Sequence, residues 1–85
     1  MTMTAAETRA LLRALLREVL DDPAVDPQMD DGENDIAGFD SGRRIMLIMA
    51  VEERLAIRLR SREVDALRRW GDWVALIHRH CAAAS

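Results

Sequence analysis

The sequence predicts an all-α fold: a small four-helix bundle with a long loop between helices one and two and a short third helix. Three observations carry that expectation. Ala, Leu, Arg and Glu are plentiful, while the chain has no tyrosine, one phenylalanine and two prolines, so little of it favours strands. Apolar residues recur at helical spacing in separate stretches divided by breaks at proline and glycine. With 85 residues, the span 1–85 reads as one domain, able to bury one core but hardly to enclose a deep catalytic cleft. A hydrophobic share of 49% is too high for a disordered tail.

The first helix is expected over residues 4–20. Thr4 followed three residues later by Glu7 is a capping-box pattern. Leu12, Leu15, Leu16, Val19 and Leu20 then recur on one helical face. Arg9, Arg13 and Arg17 repeat every four residues on another face and read as a solvated ridge, with contact to an anionic partner as the alternative. Residues 21–40 form a long connection. Pro23 and Pro27 stop the helix, Gly32 and Gly38 punctuate the loop, and Met29, Ile36 and Phe39 are its expected anchors to the core. A loop this long in so small a domain is commonly functional or mobile.

The second helix is expected over residues 41–56, with Asp40 as its N-cap. Leu47, Ile48, Val51 and Leu55 make its core stripe, which leaves Ile45, Met46 and Met49 over. Either this is the most buried helix, or its surplus apolar face is a docking surface. Ile57, Leu59, Val64 and Leu67 belong to a short connection and a third helix over residues 61–67. Gly71 interrupts the pattern. Asp72 then caps a last helix over residues 72–81, with Trp70, Trp73, Val74 and Ile77 on one face and an alanine tail at 82–84.

Net charge is only −3, but it is unevenly spread. Residues 21–40 hold eight acids and no base, whereas residues 41–70 hold eight arginines against four acids. The acidic cluster Asp30, Asp31, Glu33 and Asp35 lacks the glycine and distal glutamate of an EF-hand calcium loop, so it reads as solvated. The longest apolar run, residues 45–51, is far too short to cross a bilayer, and no membrane insertion is expected. No basic start followed by an apolar stretch opens the chain, and the single cysteine, Cys81, cannot form an internal disulfide. A reduced, cytoplasmic setting is the expectation.

The run Gly38-Phe39-Asp40-Ser41, opening a helix that continues Ile45-Met46-Leu47-Ile48-Met49-Ala50-Val51-Glu52-Glu53-Arg54-Leu55, resembles the acyl carrier protein family. In that family an Asp-Ser pair at the start of the second helix bears a 4′-phosphopantetheine group on the serine. The similarity continues through Ile57-Arg58-Leu59, the step into the short third helix, and through Trp70-Gly71-Asp72-Trp73-Val74-Ala75-Leu76-Ile77, the last helix. It implies a non-enzymatic carrier with an acyl-carrier-like bundle and an arm on Ser41. A phosphopantetheinyl transferase would install the arm from coenzyme A with magnesium, assisted by Asp40. It further implies a monomer that serves acyl-loading and acyl-using enzymes and binds no nucleic acid. The docking positions it implies are Gly42, Arg43, Arg44, Ile45, Met49, Glu52 and Glu53.

Elementary physics agrees with that site. A serine hydroxyl at a helix's first turn is exposed beside unpaired N–H groups, where the positive end of the dipole favours a phosphodiester. Asp and Ser are also preferred caps, so the dipeptide alone reads as an ordinary N-cap; the surrounding register is what points to attachment.

The chain departs from the family in places. Gly42 stands where leucine is usual, and Ala37 where leucine usually precedes the glycine, with Ile36 available for that packing. Arg43, Arg44 and Arg54 surround a helix that is usually acidic, leaving Glu52 and Glu53 as its acids. These differences suggest a specialised free-standing member whose partners have less basic surfaces than usual. Fatty-acid, polyketide, lipid, aminoacyl and peptidyl cargoes all remain open. The alternatives are a bundle that is never modified, and a helical interaction module that binds nucleic acid through its arginines. A pI near 5.3 and the lack of one dense basic face weigh against the second.

The remaining candidates are weaker. His78, His80 and Cys81 suggest a metal site, but on a helix His80 points away from the other two. A frayed helix end with histidines near its negative pole is the expectation. Trp70 and Trp73 are expected in the core, whereas Met46 and Met49 suit either core packing or adaptable contact with a partner or acyl chain. No nucleophile–base pair emerges, so neither a catalytic residue nor a metal ligand is assigned.

Overall fold

The structure, a computed structural model, describes residues 3–83; Ala84 of the alanine tail lies outside the described residues. Four helices follow one another: α1 (Ala5–Leu20), α2 (Ser41–Leu55), α3 (Ser61–Asp65) and α4 (Trp70–Ala83). A single 3-10 turn, Glu33–Asp35, interrupts the long loop, and no strand forms among the described residues. α1 packs along both α2 and α4.

The capping box at α1 forms. The Glu7 N–H donates to Thr4 Oγ1 (3.1 Å) and the Thr4 N–H donates to the Glu7 carboxylate (2.9 Å). The Thr4 N–H, seconded by the Thr4 hydroxyl, holds the Glu7 carboxyl below its usual 4.5. At the far end Asp21 turns left-handed (φ 52), and the Asp22 N–H returns to the Arg17 carbonyl (3.0 Å). The arginine ridge proves partly structural. Arg17 Nε donates to the Val25 carbonyl (2.7 Å) and Arg13 approaches Asp26 (3.4 Å), so both hold the start of the loop against α1.

The core joins Leu12, Leu15 and Leu16 of α1, Leu47 and Val51 of α2, and Trp70, Trp73, Val74, Leu76, Ile77 and Cys81 of α4. Ile36, Phe39 and Leu67 reach it from the connections. α4, not α2, is therefore the most buried helix. Ile36 and Phe39 anchor the loop, but Met29 does not: it is 39% exposed, and its backbone matters more than its side chain.

α4 begins at Trp70, two residues before the expected start. The reason lies in the loop, whose carbonyls satisfy the first N–H groups: Trp70 donates to Asp31 (2.7 Å) and Gly71 to Met29 (2.9 Å). Glycine suits this close approach, because a Cβ at position 71 would lie 3.1 Å from the Met29 carbonyl oxygen. Asp72 sits within the first turn and accepts from the Arg68 and Arg69 N–H groups (3.0 Å each). Those two donors hold its carboxyl below the usual 3.8.

α3 is shorter than expected, because the chain turns after Asp65 to drive Leu67 into the core, with the Leu67 N–H donating to Val64 (3.1 Å). α4 is helical as far as Ala83. There His80 Nε2 sits 3.2 Å from both Glu63 oxygens and Cys81 packs in the core. The Arg60 N–H, and then His80, hold the Glu63 carboxyl below 4.5.

Candidate functional site

The entrance to α2 is built from the loop's last residues. Ile36 is buried, Gly38 takes a left-handed backbone (φ 83) that favours glycine, and Phe39 returns to the core against Trp73 at 6.1 Å between centroids. The chain is thereby fixed two residues before Ser41. Asp40 is the N-cap: its carboxylate accepts the Arg43 N–H (2.8 Å) and its carbonyl accepts the Arg44 N–H (2.8 Å). Ser41 is the first residue of α2, and its side chain is exposed. Among the described residues the Ser41 and Gly42 N–H groups find no acceptor, so the positive end of the helix opens to solvent beside the hydroxyl. Gly42 adds further room, since a Cβ there would meet only Asp40 Oδ1, at an ordinary 3.5 Å.

The outward face of α2 is apolar. Ile45, Met46 and Met49 are 58%, 49% and 61% exposed, and Glu53 lies exposed further along. Glu18, Val19, Met46, Met49, Ala50 and Glu53 line a shallow cleft of about 340 Å³ between α1 and α2. A second cleft of about 420 Å³ runs past Met49, Glu52 and Glu53 to Ile57 and Arg58. The larger hollow of about 550 Å³ lies elsewhere, between α1 and the loop around Met29, and includes none of these residues. Exposed methionines suit contact with surfaces of varied shape.

Three residues expected on the docking face are engaged inside the molecule instead. Arg43 Nη1 donates to the Val19 carbonyl (3.1 Å), where a cation meets the negative end of α1. The Arg44 guanidinium bonds the Glu33 carboxylate and the Val64 carbonyl and lies over the Trp73 ring, 5.9 Å from its centroid. The Glu52 carboxylate accepts the Leu59 N–H (2.9 Å) and fixes the connection to α3. Gly42, Ile45, Met49 and Glu53 stay outward beside Ser41 and Asp40. Met46, left undecided by its sequence position, joins them; its register with Gly42, Met49 and Glu53 on one helical face is the signal that identifies it.

Sequence candidates for metal binding do not converge. His78 Nδ1 lies 3.4 Å from the Thr8 hydroxyl while His80 faces Glu63, and no group of three or more metal-binding side chains gathers among the described residues. No described helix is long and apolar enough to cross a membrane.

No family model matches the sequence, and no curated protein matches it. The fold does find a match: the solution structure of a holo acyl carrier protein from Geobacter metallireducens, with a TM-score of 0.84 and 27% sequence identity over 91% of this chain and 88% of that one. That likeness covers nearly the whole of both chains: this chain has the fold of an acyl carrier protein and is similar to that family of carriers.

Proposed function

We propose that Ser41 is the attachment point of a 4′-phosphopantetheine arm, on which the protein carries acyl or related groups as thioesters between partner enzymes. The observation that carries this reading is an exposed hydroxyl at the first position of α2, held by the Asp40 cap and the buried Phe39 beside two unpaired N–H groups. Those features fit a phosphodiester: the N–H groups of Ser41 and Gly42 and the helix dipole favour its charge, and the missing side chain at Gly42 leaves it space. When bound, the arm supplies a terminal thiol that takes cargo as a thioester. The protein's own residues hold the attachment point and present the surface beside it.

In this reading residues 1–85 act as one carrier domain, a monomer working in the cytoplasm. A phosphopantetheinyl transferase installs the arm from coenzyme A, and acyl-loading and acyl-using enzymes dock on Gly42, Ile45, Met46, Met49 and Glu53. Because Arg43 and Arg44 are bonded internally, that surface is apolar with an acidic end, and a partner needs chiefly a complementary apolar patch. The same engagement of Arg13, Arg17, Arg43 and Arg44 disfavours an arginine-rich nucleic-acid surface.

Incubation with coenzyme A, magnesium and a broad-specificity transferase should add the mass of one phosphopantetheinyl group. Ser41→Ala should abolish the gain while leaving the helical circular-dichroism signal intact. Labelling that persists in Ser41→Ala would overturn the assignment.

A further inference from the structure

Arg44 follows Ser41 by three positions, so the two share a flank of α2. Its half-buried guanidinium is held by the Glu33 carboxylate from the long loop, the Val64 carbonyl from α3 and the Trp73 ring from α4. In the core next to it, Trp70 and Trp73 are each 1% exposed and stacked 6.4 Å apart, with Phe39 against Trp73. A charged clasp therefore joins α2 to α3 over a floor of two indoles.

We propose, on the reading that Ser41 bears the thioester arm, that Arg44 is a specificity-determining residue: it closes the seam between α2 and α3 to apolar cargo. The carrier then displays its acyl group in solvent and suits cargo that is short or polar. A hydrocarbon tail that leaves Ser41 sheds its water fully by entering the bundle, and the route on Ser41's own flank passes Arg44. Entry there separates the guanidinium from a carboxylate and a carbonyl, which leaves half-buried polar groups unpaired. It also requires an indole to move within a close-packed interior. The cleft beside Met46 and Met49 covers a tail on one side only and belongs to the face open to partners. Short or polar groups expose little apolar surface and gain little from shelter.

The full-length protein, loaded by a transferase with acetyl-coenzyme A or octanoyl-coenzyme A and checked by intact mass, provides the test. The two wild-type forms should unfold at the same temperature and with the same tryptophan emission. In Arg44→Leu, the octanoyl form should unfold above the acetyl form by about 4 °C or more. A wild-type octanoyl form stabilised by that margin, or with shifted emission, would overturn the proposal. An Arg44→Leu protein indifferent to chain length would overturn the assignment to Arg44. The wild-type comparison stands even if Arg44→Leu does not fold. Failure of both thioesters to add mass would count against the attachment reading itself, a result distinct from loaded forms that differ in stability.

Discussion

Replacing Asp40 separates the cap's work from its charge. In the structure one exposed carboxylate accepts one backbone N–H, that of Arg43, at 2.8 Å. Removing an N-cap acceptor costs about 1 kcal/mol, and losing an anion at the helix's positive end adds roughly 0.3–1 kcal/mol. Asp40→Ala should therefore lose about 1–2 kcal/mol; at about 4–8 °C per kcal/mol in a domain of this size, the midpoint falls by roughly 5–15 °C. Asp40→Asn keeps an acceptor and loses only the charge, so it should lose about 0.3–1 kcal/mol, most of it recovered in about 1 M salt. Urea and thermal unfolding followed by far-ultraviolet circular dichroism measure both. Asp40→Asn as damaging as Asp40→Ala, or Asp40→Ala indistinguishable from wild type, would refute the reasoning. Loading by a transferase adds a second comparison: if Asp40 acts by fixing the turn at Ser41, Asp40→Asn should load nearly as fast as wild type.

Gly71→Ala forces a Cβ to 3.1 Å from the Met29 carbonyl oxygen, so the loop must shift; unfolding should show a loss of about 1–3 kcal/mol. Glu7, Glu63 and Asp72 all have carboxyl groups held below their usual values by backbone donors. The unfolded chain therefore binds more protons than the folded one in the acid range, so their contribution is complete above about pH 4.5 and is lost as pH falls through the lowered values. Urea midpoints should drop across that window, and Glu63→Gln should flatten the slope. Ile45→Glu and Met49→Glu alter exposed side chains and should change unfolding by no more than about 0.5 kcal/mol, yet lower kcat/KM for loading by about tenfold.

Local patterns in the sequence reveal much of this molecule. The Thr4/Glu7 capping box, the leucine stripe of α1 and the Asp40-Ser41 start of α2 are spelled by neighbours three or four residues apart, and the structure contains each. Distant partners are what the sequence hides. Nothing near Trp70 signals that the Asp31 and Met29 carbonyls would satisfy its first turn and carry α4 back past Gly71. Arg43 and Arg44 read as a basic docking pair because charge is visible in a sequence and direction is not. Their acceptors, Val19, Glu33 and Val64, lie 24, 11 and 20 residues away. Conversely, Ile45, Met46 and Met49 read as ambiguous because an apolar residue looks the same whether it faces a core or a partner. The burial of α4, filled by two indoles, takes the place in the core that α2 would otherwise need.

Intact-mass analysis of the protein purified from its own host, followed by fragmentation of the peptide that spans Asp40 and Ser41, tests the central claim most directly. One phosphopantetheinyl group, free or acylated, is expected on the Ser41 oxygen. A chain uniformly without the group, or a group on any other residue, would contradict it.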